Sequence, residues 1–257
     1  MLNFKNTNIT VALLLVLIVL LDTQYHVPWY AYPVLILIYS LVLFYGSYYV
    51  GSNFFIKVLC AGTGTAKQIA LSFDDGPAAA HTAEILEVLE SNQVPAAFFC
   101  IGKNIAGREE LLKAIAADGH IIGNHSYSHH FWFDLFSTKK MQADLQLMNE
   151  QVQKVTGLRP RLFRPPYGVT TPNMKKAIQK AGLTAIGWNI RSLDTVVKEG
   201  ETLRKKIMNA LRPGCIVLLH DTSSATLSML QEFITSAKTD GYEFVRLDRL
   251  LNIAPYA

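Results

Sequence analysis

From residue 68 onward the chain alternates short apolar runs with amphipathic stretches, and this alternation narrows the folds open to it more than any other feature. Strand-like runs occur at 68–73, 96–101, 120–123, 161–164, 183–190, 215–220 and 243–247. Helical periodicity fits 80–91, 109–118, 138–156, 172–181, 201–211 and 225–240; Ile85, Leu86 and Leu89, for example, share one face of the first. Strand–helix alternation repeated this often predicts an α/β domain on a parallel sheet. Seven strands with six intervening helices predict a barrel, complete or incomplete. An open doubly wound sheet is the alternative, but no glycine-rich phosphate fingerprint follows the first run.

The first sixty residues follow a different rule. Two apolar runs, 9–21 and 29–50, precede the alternating region, and the second carries no charge. A helix of its length is about 33 Å long, enough to cross a bilayer core. Trp29, Tyr30, Tyr32, Tyr45, Tyr48 and Tyr49 lie toward its ends, as an interfacial aromatic belt would. The first run is short for a span, but no small-x-small cleavage site follows it. Both runs therefore read as a retained transmembrane hairpin, with helices at about 7–22 and 29–50. The expected division is a membrane segment over 1–60, a Gly/Ala/Thr linker over 61–67 and a catalytic domain over 68–257. The setting is a membrane, with the bacterial cytoplasmic membrane expected. Lys5, Lys57 and Lys67 lie outside the runs, and 22–28 has no Lys or Arg. If both runs span, the positive-inside rule puts both ends in the cytoplasm; if only 29–50 spans, with its start inside, the domain lies outside.

Composition excludes other classes. Net charge is +4 and the basic residues are scattered, with no long basic run interleaved with aromatics, so no nucleic-acid partner is expected. The cluster Arg204, Lys205 and Lys206 reads as a solvated helix face. Three widely spaced cysteines, Cys60, Cys100 and Cys215, give neither a disulfide framework nor a thiolate zinc site. Cys60 lacks the small preceding residue of a lipidated cysteine.

The polar residues fall in a pattern. Asp74 and Asp75 follow the first strand; His125 and His129 follow the third; Arg164 ends the fourth; Asp194 follows the fifth; His220 and Asp221 end the sixth. All lie at the C-terminal ends of strands, the rim on which α/β barrels build active sites. Asp, His and His make a ligand set for Zn²⁺ with a position open for water, and Co²⁺ and Ni²⁺ accept similar sets. The four-residue spacing of the histidines suits one side of a helical turn. Neighbouring carboxylates at a strand end diverge, so one can hold the metal while the other takes the proton of the attacking water, which the metal activates. His220 is the candidate acid for a leaving nitrogen. Taken singly, the aspartates could be helix N-caps, Arg164 a structural ion pair and His220 a satisfied core histidine; jointly those readings require coincidences at one rim. Asp221 reads equally well as a support at a strand end.

These residues carry a resemblance. Ser72-Phe73-Asp74-Asp75-Gly76, His125-Ser126-Tyr127-Ser128-His129, Arg164-Pro165-Pro166-Tyr167-Gly168 and Leu218-Leu219-His220-Asp221 resemble, in order, four of the five motifs of the polysaccharide deacetylases. These are the carbohydrate esterases of family 4, which share the chitooligosaccharide deacetylase homology domain. The resemblance implies a distorted barrel of about seven strands, and the two apolar runs would make the chain a membrane-anchored member of the family. It implies Asp74 as base, Asp75, His125 and His129 as ligands of one divalent metal, and Arg164 as the partner that tunes Asp74. It also implies the Tyr167 backbone N–H as an oxyanion donor, His220 as acid oriented by Asp194, and Leu218 in an acyl pocket beside Pro165. One motif departs from the pattern. Where two aspartates and a Trp are usual, the stretch 188–195 has Arg191, Asp194 and Thr195, so a pocket wall must come from elsewhere, with Trp188 and Trp132 the candidates.

The expected activity is metal-dependent removal of an N-acetyl or other N-acyl group from an amino sugar in a polysaccharide, peptidoglycan or glycolipid. Two rivals are deformylation or deacetylation of a lipid-linked amino sugar, which the hairpin motivates, and a catalytically silent carbohydrate-binding homologue.

Overall fold

The structure, a computed structural model, describes residues 2–257. Two apolar helices open it: α1 (Phe4–Tyr25) and α2 (Ala31–Tyr48). They lie a few residues from the expected 7–22 and 29–50, because their ends are set by local chemistry that hydropathy does not report. Asn3 caps α1 by accepting the Asn6 N–H at 2.9 Å. Pro28 and a turn at Trp29–Tyr30 delay α2 to Ala31. The pair is joined by Tyr39 Oη donating to Asn8 Oδ1 (2.8 Å) and Tyr32 Oη donating to Asp22 Oδ2 (3.2 Å). Thr7 is the one buried residue of α1 and Gly46 the one of α2, so the pair projects from the rest of the protein.

The stretch that follows is packed down rather than free. The Phe54 ring covers Gly46 so closely that a methyl group there would overlap it. Ser47 and Thr170 exchange two hydrogen bonds, Ser47 Oγ to the Thr170 carbonyl (2.9 Å) and the Thr170 N–H to the Ser47 carbonyl (3.0 Å). Phe54, Phe55, Ile56 and Val58 are buried. Leu59 bonds through its backbone to Ala185 and Gly187, and Gly62 to Gly214, so part of the expected 61–67 linker is held against the sheet.

The remaining chain forms β1 (Gln68–Asp74), α3 (Thr82–Ser91), β2 (Ala96–Cys100), α4 (Glu109–Ala117), β3 (Ile121–Asn124), α5 (Thr138–Thr156), β4 (Leu162–Phe163), α6 (Pro172–Ala181), β5 (Thr184–Ala185), β6 (Ile190–Arg191), α7 (Gly200–Ala210), β7 (Ile216–His220), α8 (Ser224–Thr239), β8 (Glu243–Phe244) and α9 (Leu247–Leu251). All strand pairs are parallel, in the order β5-β4-β3-β2-β1-β7-β6, with β8 against the start of β1. The sheet curls into the distorted barrel expected of the sequence. Two strand expectations are corrected. The run 183–190 is not one strand: β5 and β6 lie on opposite edges of the sheet, and residues 186–189 cross between them. Covalent continuity thus closes the circuit where a strand pair is missing. The run 243–247 pairs only at Glu243 and Phe244 before the chain turns into α9.

Alternation along the strands sorts the side chains. Ile69, Leu71, Phe73, Ile190, Val217 and Leu219 pack outward against α3, α7 and α8. Ala70, Ala97, Phe99 and Ile216 fill the barrel interior. By the same alternation Ser72, Asp74, Arg191, Leu218 and His220 face inward, toward the C-terminal rim.

Candidate active site

β1 ends at Asp74, whose register partner on β7 is His220, so acid and base candidates sit on adjacent strands. Asp74 is buried, and Arg164 Nη1 donates to its Oδ1 at 2.7 Å. Arg164 is fully buried, and both of its terminal nitrogens are committed while Nε has no partner. Nη1 also reaches Ser72 Oγ (2.9 Å), Nη2 donates to the Gly187 carbonyl (3.0 Å), and the guanidinium lies 4.0 Å from the Phe99 ring centroid. Burial raises the pKa of Asp74 above the usual carboxylate range, and the Arg164 charge opposes that rise. Asp74 Oδ2, the oxygen Arg164 leaves free, faces His125 Nε2 at 3.8 Å.

Asp75 turns away from Asp74 because its backbone enters the left-handed region at φ 78°. Its carbonyl is held by Asn104 Nδ2 at 2.8 Å. Its Oδ1 lies 3.6 Å from His125 Nε2 and 3.5 Å from His129 Nε2. A tetrahedral ion bound at about 2.0–2.1 Å by each ligand spaces its ligand atoms about 3.4 Å apart, so these side chains fit a divalent metal. The donor chemistry fits as well. His125 Nδ1 meets the Arg164 carbonyl at 2.9 Å, which assigns the proton to Nδ1 and leaves Nε2 free to ligate. Burial, with His129 beside it, lowers the pKa of His125 to about 3, so the ring is neutral at physiological pH, the form a metal needs. Burial lowers His129 too, against the pull of Asp75. Among the described residues this is the one group of three acidic, histidine or cysteine side chains with metal-ligand spacing.

The histidines converge by a route different from the helical turn expected. Residues 125–129 form an irregular turn, with Ser126 at φ 64° and His129 at φ 43°. Asp144 on α5 accepts the Tyr127 and Ser128 N–H groups (2.7 and 3.3 Å). Asn124 Oδ1 takes the Ser126 N–H (2.8 Å) and Ser126 Oγ takes the His129 N–H (3.0 Å). Asn124 is fixed in turn by Asn149 and by the Leu145 carbonyl. Sequence reading missed Asp144, Asn124 and Asn149; three polar residues on the inner side of a helix and at a strand end were the available signal.

Opposite the metal ligands, His220 Nδ1 lies 2.7 Å from Asp194 Oδ1. Asp194 is fully buried, and its Oδ2 accepts from the His220 N–H (2.7 Å) and from Thr226 Oγ1 (2.5 Å). Burial alone would lower the pKa of His220, but the Asp194 carboxylate outweighs it and holds the imidazole at about 9. The ring is thus a proton donor at neutral pH, with Nε2 4.0 Å from Asp75 Oδ2. Asp221 faces elsewhere: Thr82 Oγ1 donates to it at 2.6 Å, and burial raises its pKa to about 7.

A cleft of about 220 Å³ joins these groups, lined by Pro165, Tyr167, Trp188, Arg191, Leu193, Thr195 and Leu218. Arg164 and Asp194 stand behind it. Trp188 supplies the wall and approaches Gly168 closely enough that a Cβ there would lie 2.6 Å from the ring. Trp132 is not among the lining residues; it is 56% exposed and packs edge-on against Phe131. Tyr167 and Leu193, at φ 59° and 63°, add to the positive-φ residues around the site. Such backbone collects where function fixes the chain. A larger cleft of about 690 Å³ at the opposite end of the barrel, beside His120 and Arg246, gathers no comparable donor set.

Comparison with known proteins gives this arrangement its relatives. The family described as polysaccharide deacetylase matches residues 61–186. The peptidoglycan-N-acetylmuramic acid deacetylase PdaA of Bacillus subtilis is 30% identical over 216 residues, covering 82% of this chain and 78% of the relative. The chain belongs to the polysaccharide deacetylase family. The peptidoglycan-N-acetylglucosamine deacetylase PgdA of Listeria monocytogenes is 33% identical over 186 residues, 72% of this chain, but the match spans only 39% of PgdA. Among solved structures, the Bc1960 peptidoglycan N-acetylglucosamine deacetylase superposes with a TM-score of 0.74 at 26% identity, covering 78% of this chain and 95% of that one. The polysaccharide deacetylase barrel and its Asp-His-His triad are therefore both present. The departures at Arg191 and Thr195 fall inside the cleft.

Proposed function

We propose that the protein hydrolyses the N-acyl group, acetyl in the first instance, of an amino sugar in a peptidoglycan- or chitin-type chain or a glycolipid. One observation carries this reading. A buried carboxylate with one free oxygen and an imidazole held protonated flank the same three-ligand metal set. When bound, the metal would act as a Lewis acid on the acyl carbonyl and make water more acidic; Zn²⁺ suits the ligands best. Asp74 Oδ2 takes the proton of the attacking water, since Arg164 occupies only Oδ1. His220 Nε2 delivers a proton to the departing amine, and Asp194 keeps the ring oriented and charged. Pro165, Tyr167, Trp188 and Leu218 enclose the acyl group, and the Tyr167 backbone N–H stabilises the developing oxyanion. The test is release of acetate from N-acetylglucosamine oligomers and peptidoglycan by the metal-loaded protein, with Asp74→Asn and His125→Ala beside it. Asp74→Asn should retain metal and lose at least about a hundredfold in kcat; His125→Ala should lose both. Full activity in Asp74→Asn removes the assigned base.

We further propose that α1 and α2 anchor the 68–257 catalytic domain to the cytoplasmic membrane. Each contains an 18-residue stretch apolar enough to cross a membrane and is buried at one residue only. At their base Lys5, Lys57, Lys175 and Lys176 line one cleft that no acidic residue enters, as anionic headgroups favour. The attachment of α2 to the loop carrying Tyr167 supports a second substrate reading, a lipid-linked amino sugar bearing an acetyl or formyl group. The helices leave from the rim that holds the site, where Phe131, Trp132 and Leu135 are also exposed. Release of acetate against formate from lipid-linked and polymeric substrates separates the two readings.

A further inference from the structure

One cation in the cleft takes no part in the chemistry above. Arg191 ends β6, and its register partner on β7 is Leu218, which in turn faces Ser72 on β1. Partners at matched register in a parallel sheet present their side chains to the same face. Ser72 is inward, since its hydroxyl receives Arg164, and Leu218 lines the cleft. Arg191 therefore enters the barrel mouth on the substrate side, and it too lines the cleft.

The charges around it are already committed. Asp74 is bonded to Arg164, Asp194 to His220 and Thr226, and Asp75 belongs to the metal set. Among the described residues no carboxylate lies within ion-pair distance of Arg191, and no acceptor takes its guanidinium protons. Arg164, the other arginine of the site, is fully buried, and both of its terminal nitrogens are bonded to internal partners. The cleft thus presents one free guanidinium fork, the group best shaped to grip a carboxylate or phosphate. Space accompanies the charge. Thr195 occupies the position where the motif usually has an indole, and it also lines the cleft, so the wall beside Arg191 is cut back. An aspartate and a tryptophan at these positions would repel an anion and fill that space; arginine and threonine do the reverse.

We propose that Arg191 binds an anionic substituent, a carboxylate or a phosphate ester, on the amino sugar whose acyl group is removed. The proposal rests on the deacylase reading and adds a substrate class to it. An acidic ether on the sugar and an anomeric phosphate are two sources of the same chemistry.

The test uses the full, metal-loaded chain in detergent and three substrates: an N-acetylglucosamine oligomer, the same sugar bearing a 3-O-lactyl carboxylate, and the sugar 1-phosphate carrying a lipid. The wild type should favour a charged substrate in kcat/KM, and the charged substrate it favours identifies the source. In Arg191→Gln the charged-to-neutral ratio should fall roughly tenfold, as loss of one charge-assisted pair implies. Arg191→Lys should keep most of the preference, and Thr195→Trp should reduce it. A ratio that is the same in wild type and Arg191→Gln, or a wild type that prefers the neutral sugar, overturns the proposal. Binding is read separately by calorimetry in the Asp74→Asn background. There the Kd for the charged sugar should weaken about tenfold when Arg191→Gln is added, and no change overturns the proposal. If no substrate loses its acyl group, the deacylase reading fails, while the calorimetric arm still decides the role of Arg191.

Discussion

In the proposed mechanism, Asp194 is the residue on which the acid side of the site turns. It lies wholly inside the protein yet stays ionised, because two hydrogen bonds from His220 and one from Thr226 outweigh the burial that would raise its pKa. The consequence falls on His220, whose imidazole keeps its proton to about pH 9. Activity should therefore rise as Asp74 ionises and fall only as pH passes about 9. In Asp194→Asn only the charges of Asp74 and Asp75 still oppose burial, and the alkaline limb of kcat/KM should move well below 9. The rate at pH 8 should then fall about a hundredfold or more. An unmoved limb would take His220 out of the acid role. Stability follows the same proton. The folded pKa exceeds the unfolded one of about 6.5, so this pair stabilises the fold fully below pH 6.5 and loses its contribution as pH rises through 9. The Tm gap between wild type and Asp194→Asn should close over that window. A second prediction concerns packing. A methyl group at Gly76 would overlap the buried Asp221 carboxylate. Gly76→Ala should cost about 1–3 kcal/mol in denaturant unfolding, and it should weaken metal binding through its neighbour Asp75. The positions of Asp75, His125, His129 and His220 in the chain were legible because strand ends are legible. Asp144 and Thr226 were not, since a helix residue that accepts a hydrogen bond from a distant loop carries no local mark.

Element boundaries were legible where a cap enforces them. α5 and α6 begin and end at the residues expected. Ser137 Oγ accepts the Lys140 N–H and Thr171 Oγ1 the Met174 N–H. Gly157 and Gly182 close the other ends in left-handed conformation at φ 75° and 66°. Boundaries failed where tertiary geometry sets them. The run 183–190 is apolar throughout its middle, and nothing in that pattern records that Thr184–Ala185 pairs with β4 while Ile190–Arg191 pairs with β7. Apolar content is shared by a strand and by a stretch crossing a barrel between its edges. Thr171 offers a test at this scale, since it caps α6 next to the residue that docks α2. Thr171→Ala should cost about 1 kcal/mol, lowering Tm by roughly 2–4 °C for a chain of this size. Amide exchange should quicken over the first turn of α6 and leave β1 unchanged. Uniform loss of protection would show that the cap is not local.

For the whole molecule, the proposed membrane anchor carries a prediction about which face of the bilayer the site meets. α1 and α2 pair antiparallel, so the start of α1 and the end of α2 both sit at the catalytic domain, where the Phe4 N–H bonds to the Phe54 carbonyl. The far end carries Trp29 and Tyr30, 79% and 57% exposed, and the near end carries Tyr45, Tyr48 and Tyr49, all at least half exposed. Tyr30 and Tyr48 are about 27 Å apart along a helix, close to the thickness of a bilayer core. Two aromatic belts at that spacing fit the two interfaces of the proposed span, and the lysines gather at only one of them: Lys5, Lys57, Lys175 and Lys176 at the domain, none between residues 22 and 28. If the pair spans as proposed, the positive-inside rule predicts the catalytic domain on the cytoplasmic face. A green fluorescent reporter fused after Ala257 should fluoresce, and an alkaline phosphatase fused there should be inactive. The protein should resist carbonate extraction from membranes. A cytoplasmic domain would favour a lipid-linked precursor over finished wall polymer, since only the precursor would share that side with the enzyme. An active phosphatase fusion would reverse the argument: the domain would face outward, a wall polymer would become the substrate within reach, and the anion for Arg191 would have to be a carboxylate of that polymer rather than a lipid phosphate.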